Sequence, residues 1–145
     1  MPQSVTYFPD HKLVYLHVWG TVSITSLAAR MAEWMYEFSV PTGYNCLTDT
    51  RGIEAVDRAA DGVKELVNMQ ARVYQDTPSP QHSAIFANSP VGFVLGRLFE
   101  QNAEGVLREK IQVFRSERDA LGFIGVKADS VDAYLASLPA GRTAT

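Results

Sequence analysis

Two hydrophobic periods alternate along this chain. Residues 5–8 and 13–19 are rich in apolar and β-branched side chains and flank the turn-like Pro9-Asp10-His11-Lys12, which predicts an antiparallel hairpin. In the second strand Leu13, Tyr15, His17 and Trp19 share one face and Val14, Leu16 and Val18 the other, so it is expected to be covered on both sides. After Gly20 the period lengthens. Leu27, Met31, Trp34, Met35 and Phe38 fall on one stripe, with Arg30, Glu33 and Glu37 elsewhere, which predicts an amphipathic helix from Ser23 or Thr25 to Phe38.

Pro41-Thr42-Gly43 ends that helix, and Cys46-Leu47-Thr48-Asp49 predicts a third strand. Val63, Leu66, Val67 and Tyr74 mark a second helix, with Asp57 or Asp61 as its expected cap. Residues 83–87 form a fourth strand. Ser89 is then a natural N-cap with Pro90 at the first helical position, and Val91, Val94, Leu95, Leu98 and Phe99 are the expected buried stripe of the third helix. Residues 111–114 predict a fifth strand, and Ser116 with Asp119 starts a fourth helix in the manner of a capping box. Residues 130–138 allow a further short helix. The whole predicts an α/β fold: a mixed, mainly parallel five-stranded sheet with an antiparallel first strand, flanked by four to five helices.

The chain has 145 residues, which suits one domain, expected over residues 1–138 with a flexible tail at 139–145. Thirteen basic and sixteen acidic residues are mixed along it, giving a net charge of −3 without a basic block, so nucleic acid is excluded as a main partner. Cys46 stands alone, which removes an internal disulfide and any clustered-cysteine zinc site. Met1-Pro2-Gln3-Ser4 lacks the features of a secretion signal, and no apolar run approaches the roughly 20 residues of a membrane span. The expectation is a cytoplasmic protein with no integral membrane segment, no metal and no cofactor.

Dinucleotide, phosphate-loop, metalloprotease and nucleophile-elbow motifs are absent. His11, His17 and His82 are scattered over a turn and two strands, and Cys46 opens a core strand. Packing roles are therefore expected for His17 and Cys46. Gly92 and Gly96 each cost a helix about 1 kcal/mol relative to alanine, so either close packing on the sheet or an approaching ligand must account for them. Asp49-Thr50-Arg51-Gly52, Asn88-Ser89 and Arg115-Ser116 follow successive strands. If those strands are parallel, the three groups gather at the carboxyl edge of the sheet, where open α/β folds take ligands. A candidate anion site follows: the free amides of Val91 and Gly92 after the Ser89 cap, Arg51 and Arg115 as charge partners, and Asp49 orienting Arg51. The alternative is a plain helix cap beside two arginines.

The order of elements carries a family resemblance, together with Tyr15 to Gly20, Leu47-Thr48-Asp49-Thr50-Arg51-Gly52, Gly96-Arg97-Leu98-Phe99-Glu100, Val113-Phe114-Arg115 and Ala120-Leu121-Gly122-Phe123-Ile124-Gly125. The chain resembles the STAS superfamily, and more closely its bacterial SpoIIAA-like, STAS/SEC14-type group, over about residues 5–126. The resemblance implies a non-enzymatic role in regulation or ligand sensing. Anti-sigma-factor antagonists of that superfamily carry a phosphoacceptor loop at the start of the second helix, but residues 54–62 here contain no serine or threonine, which argues against a phosphorylation switch. The SEC14-like relatives bind lipids with the help of extra elements that a chain of this length lacks.

The leading expectation is a regulatory or interaction module presenting a helix face to a protein partner or, as a homodimer, to its own copy. Two Trp, six Tyr, seven Phe and four Met in so small a chain favour such self-association. The first alternative is a module for a small anionic or lipid ligand, sited between the carboxyl edge of the sheet and an apolar face containing Trp34, Met35, Phe93 and Phe99. The second is an enzyme using Asp49 and Arg51. A largely apolar interior pocket would favour binding, and an exposed apolar patch would favour a partner.

Overall fold

The computed structural model describes residues 3–145. In chain order the elements are β1 (Gln3–Phe8), a 3-10 turn (Pro9–His11), β2 (Leu13–Val18), β3 (Gly20–Ser23), α1 (Ile24–Phe38), β4 (Asn45–Asp49) and β5 (Ile53–Asp57). They continue with α2 (Ala59–Val73), β6 (His82–Phe86), α3 (Pro90–Ala103), β7 (Lys110–Phe114), α4 (Glu117–Phe123), α5 (Val131–Ser137) and β8 (Arg142–Ala144). The main sheet has the order β7-β6-β4-β2-β1-β8. β2, β4, β6 and β7 run parallel, while β1 and β8 are antiparallel to their neighbours. The fold is thus α/β with a mixed, mainly parallel sheet.

The strand order dictates where the helices go. β2, β4, β6 and β7 advance across the sheet in one direction, and crossovers between parallel strands are almost always right-handed, so the three intervening helices must share one face. They do: α1, α2 and α3 cover the face built by Val5, Leu16, Val18 and Ile85. The opposite face, with Leu13, Leu47, Ala84 and Phe86, is covered by α4 and α5 through Ala120, Leu121, Ile124 and Val131. β2 is enclosed on both sides, as its sequence requires.

Three strands lie outside the predicted five. β3 and β5 form a separate parallel pair. Each begins where the chain leaves a main-sheet strand at a glycine with a left-handed backbone, Gly20 (φ 69°) and Gly52 (φ 84°), and the Gly20 amide donates to the Gly52 carbonyl at 2.8 Å. Because β5 runs through Asp57, that residue is held in the strand pair rather than capping α2. The chain turns instead at Arg58 (φ 54°), whose side chain makes no cap bond. β8 lies within residues 139–145, expected to be a flexible tail. It pairs with β1, Val5 opposite Ala144 and Tyr7 opposite Arg142, and the Thr6 and Thr143 hydroxyls meet at 2.9 Å.

The third helix is rotated from its predicted orientation. Val91 and Val94, expected in the buried stripe, are exposed, whereas Gly92 and Gly96 are buried. A β-carbon on Gly92 would stand 2.4 Å from Thr50 Oγ1, and one on Gly96 would stand 3.1 Å from methyls of Ile85 and Val113. The glycines therefore bring α3 close to the sheet. Thr50 cannot yield, because its hydroxyl donates to the Phe86 carbonyl at 2.9 Å. Gly92→Ala is expected to destabilise the fold by about 1–3 kcal/mol despite alanine's better helix propensity. Urea denaturation checks this, and an equal or higher midpoint would contradict the packing account.

Candidate functional site

Two groups of polar side chains lie on opposite faces and opposite edges of the sheet. The first is at the carboxyl edge, on the α4/α5 face. Asp49, the last residue of β4, is wholly buried. It accepts from the Tyr15 hydroxyl at 2.6 Å, from the Arg51 amide at 3.0 Å, and from Arg51 Nε and Nη2 at 3.0 and 2.7 Å. The same guanidinium reaches Asp132 at the start of α5 through two bonds of 2.7 and 3.1 Å and lies 5.6 Å from the centre of the Phe86 ring. His17 Nε2 meets the Arg51 carbonyl at 3.1 Å, and Glu117 accepts from the Val131 amide at 2.9 Å.

This arrangement commits its charges to one another. Hydrogen bonds to Asp49 and Asp132 raise the Arg51 pKa, and in return Arg51 holds the Asp132 carboxyl below its usual range. Burial and the Asp49 carboxylate raise the Tyr15 phenol. The cluster pins α5 and the end of β4 together.

The other residues of the candidate anion site are placed differently. Ser89 caps α3 by accepting from the Gly92 amide at 3.1 Å. Arg115 stacks over Phe93, 4.0 Å from the ring centre. β6 does lie between β4 and β7, which brings Ser89, Val91, Gly92 and Arg115 to one edge with Arg51. Arg51, however, is engaged on the other face by Asp49 and Asp132.

The second group lines an interior cavity of about 130 Å³ between the sheet and α1, α2 and α3. The apolar wall includes Leu16, Ile24, Met31, Trp34, Met35 and Phe99. Trp34, Met35 and Phe99 were the residues expected to face a ligand. Phe93, grouped with them in sequence, instead carries Arg115. Cys46 and Thr48 of β4 and Ser83 of β6 project into the same space because they alternate with the residues facing α4.

The polar end of the cavity is at the amino edge. Tyr44 precedes β4 and Glu109 precedes β7, and these strands, with β6 between them, run parallel. Tyr44, Glu109, Tyr74 at the end of α2, Ser83 and Gln70 all line the cavity there or beside it. Among the described residues four buried side-chain atoms have no hydrogen-bond partner; Gln3 Nε2 lies on β1 outside the cavity lining, and the other three, Trp34 Nε1, Gln70 Oε1 and Glu109 Oε1, belong to residues that line the cavity. Each such group costs on the order of 1–3 kcal/mol, so their convergence on one space is a feature of that space.

Burial pushes the Glu109 carboxyl from an ordinary 4.5 up to about 7, with the nearby Ser83 and Tyr74 hydroxyls opposing the shift less strongly. Burial likewise pushes the Cys46 thiol up to about 12, which keeps it protonated at neutral pH. The Tyr44 and Tyr74 phenols are raised for the same reason.

Glu109 had no signal in the sequence, since Arg108-Glu109-Lys110 reads as a solvated charged turn. Gln70 had one: it continues the Val63, Leu66, Val67 stripe of α2 at helical spacing, a polar residue in a buried row.

Among the described residues, no group of three or more His, Cys, Asp or Glu is placed to hold a metal ion, and no helix is long and apolar enough to cross a membrane. No family model and no curated protein matches the chain. Among solved structures, the chain is similar to an uncharacterized protein of the DUF3478 family from Shewanella loihica PV-4, described as having a SpoIIAA-like fold. The identity is 12%, the TM-score is 0.49, and the match covers 77% of this chain and 83% of that one.

The two polar groups give contrasting predictions. Arg51→Ala leaves buried Asp49 with Tyr15 but without its cation, and is expected to cost roughly 3 kcal/mol. Asp132→Ala removes a partner whose side chain is 75% exposed and should cost about 1 kcal/mol or less. Equal losses in urea unfolding would contradict this assignment. For Glu109 the folded-state pKa of about 7 lies above the ordinary 4.5, so the native state holds the extra proton between these values. The stability from this group is complete below pH 4.5 and is lost as pH rises through 7, a fall of about 3 kcal/mol. Unfolding midpoints at pH 5 and pH 8 measure the fall, and Glu109→Gln should remove most of it.

Proposed function

We propose that this protein is a non-enzymatic module that binds a small, largely apolar molecule in the cavity between its sheet and α1, α2 and α3. The observation that carries this reading is the cavity itself: an interior space of about 130 Å³ with an apolar wall and unpaired buried polar groups at its lining. Ligand sites commonly combine these properties, with apolar area supplying affinity and a few fixed polar groups supplying orientation. An apolar cavity of about 150 Å³ is large enough to hold a benzene-sized molecule.

Surface association, including the homodimer expected from composition, has less support. Among the described residues the large apolar side chains that are exposed are Tyr36, Val91, Val94 and Val106, and only Val91 and Val94 share an element. Catalysis by Asp49 and Arg51 has less support too, because their hydrogen-bonding capacity is taken up by Tyr15, Asp132 and each other.

Titration with toluene, followed by methyl resonances, tests the binding reading. Met31 and Met35, which line the cavity, are expected to shift saturably. Native mass spectrometry of freshly purified protein should also show a retained small molecule. Methionine resonances unmoved at saturating toluene, together with a bare protein mass, would overturn the proposal.

A further inference from the structure

The lining of the cavity discriminates by charge as well as by size, and this step rests on the binding reading above. Its ionisable residues are Glu109, Tyr44, Tyr74 and Cys46, and no lysine, arginine or histidine stands among them. Burial holds both phenols and the thiol in their protonated forms at neutral pH and above. The only charge the wall can present is therefore negative. A carboxylate or phosphate entering this space would lose its hydration, meet no cation and face Glu109, so the balance of desolvation and Coulomb energy is unfavourable.

The unpaired atoms point the same way. Gln70 Oε1 is an acceptor, and Glu109 Oε1 is an acceptor whenever the carboxyl is ionised or its proton lies on the other oxygen. Gln70 is 5% exposed and Glu109 9%, so bulk water cannot readily serve either. Trp34 Nε1, on α1, is the one unpaired donor among the three. Two waiting acceptors and one donor suit a ligand head that donates.

We infer that the cavity selects a molecule of about benzene size whose apolar body lies against α1, α2 and α3 and whose head, an alcohol or an amine, donates hydrogen bonds to Glu109 and Gln70. Anionic ligands of the same shape are rejected. The anion site considered at Ser89, Val91 and Gly92 is at the other edge of the sheet and takes no part in this selection.

Benzyl alcohol, benzylamine and benzoate share a body and differ in the head, and toluene has none. Binding of the four at pH 8, read from the Met31 and Met35 methyl shifts, separates the possibilities. Benzyl alcohol, benzylamine or both should bind about tenfold or more tightly than benzoate. Glu109→Gln keeps an acceptor but loses the charge, so it should weaken benzylamine about tenfold while benzyl alcohol changes little. Glu109→Leu should weaken both, with toluene binding retained in each variant as the check that the cavity persists. Benzoate binding as well as the donors, or a ranking unchanged by Glu109→Leu, would overturn the charge selection while toluene binding still upheld the cavity. Failure of all four would overturn both readings.

Discussion

The handedness of three crossovers is the constraint on which the rest of this structure depends. β2, β4, β6 and β7 are added to the sheet in one direction, so α1, α2 and α3 are forced onto a single face and compete for area there. α3 meets the strands through Gly92 and Gly96, whereas α1 meets them through Leu27, Trp34 and Phe38. One helix sits close to the strands and the other stands off by the width of large side chains. The interior space that remains is bounded by residues from all three helices. A sheet whose crossovers reversed direction would have divided the same helices between two faces and left no such enclosure.

The other face is governed by a different balance. Asp49 is wholly buried, and its charge is tolerated because Tyr15, the Arg51 amide and the Arg51 guanidinium all donate to it. Arg51 then serves as a bridge from the end of β4 to α5. Such a group of polar residues at the carboxyl edge of a parallel sheet invites a functional reading by location alone. Hydrogen-bonding capacity distinguishes the two groups: each acceptor of Asp49 is met, whereas Glu109, far from that edge, keeps an oxygen with no partner among the described residues.

Periodic segments were legible because side-chain spacing is dictated by the element that buries it. The two faces of β2, the stripe of α1, and the Ser89 and Ser116 caps all lie where spacing and capping chemistry require. Legibility failed where tertiary contact overrides local pattern. Val91 and Val94 have helical spacing and hydrophobicity yet face outward, because two glycines offer the sheet a closer fit than two valines could. β3, β5 and β8 are short, and their partners are remote in sequence, so nothing local announces them. The candidate site was legible in part: Trp34, Met35 and Phe99 could be assigned to an apolar lining, but a glutamate between an arginine and a lysine gives no sign of burial.

The pairing of β8 with β1 also has a consequence for the order in which the chain takes shape during synthesis. β1 finds its hairpin partner β2 within a few residues, but its other edge waits for Arg142–Ala144, more than a hundred residues later. Throughout that interval the amides and carbonyls of Val5 to Tyr7 that will pair with β8 are unpaired, in a segment rich in β-forming side chains, and open strand edges of that kind recruit other chains. β8 thus covers a strand edge that stands open from the time β1 and β2 pair until residues 142–144 are made.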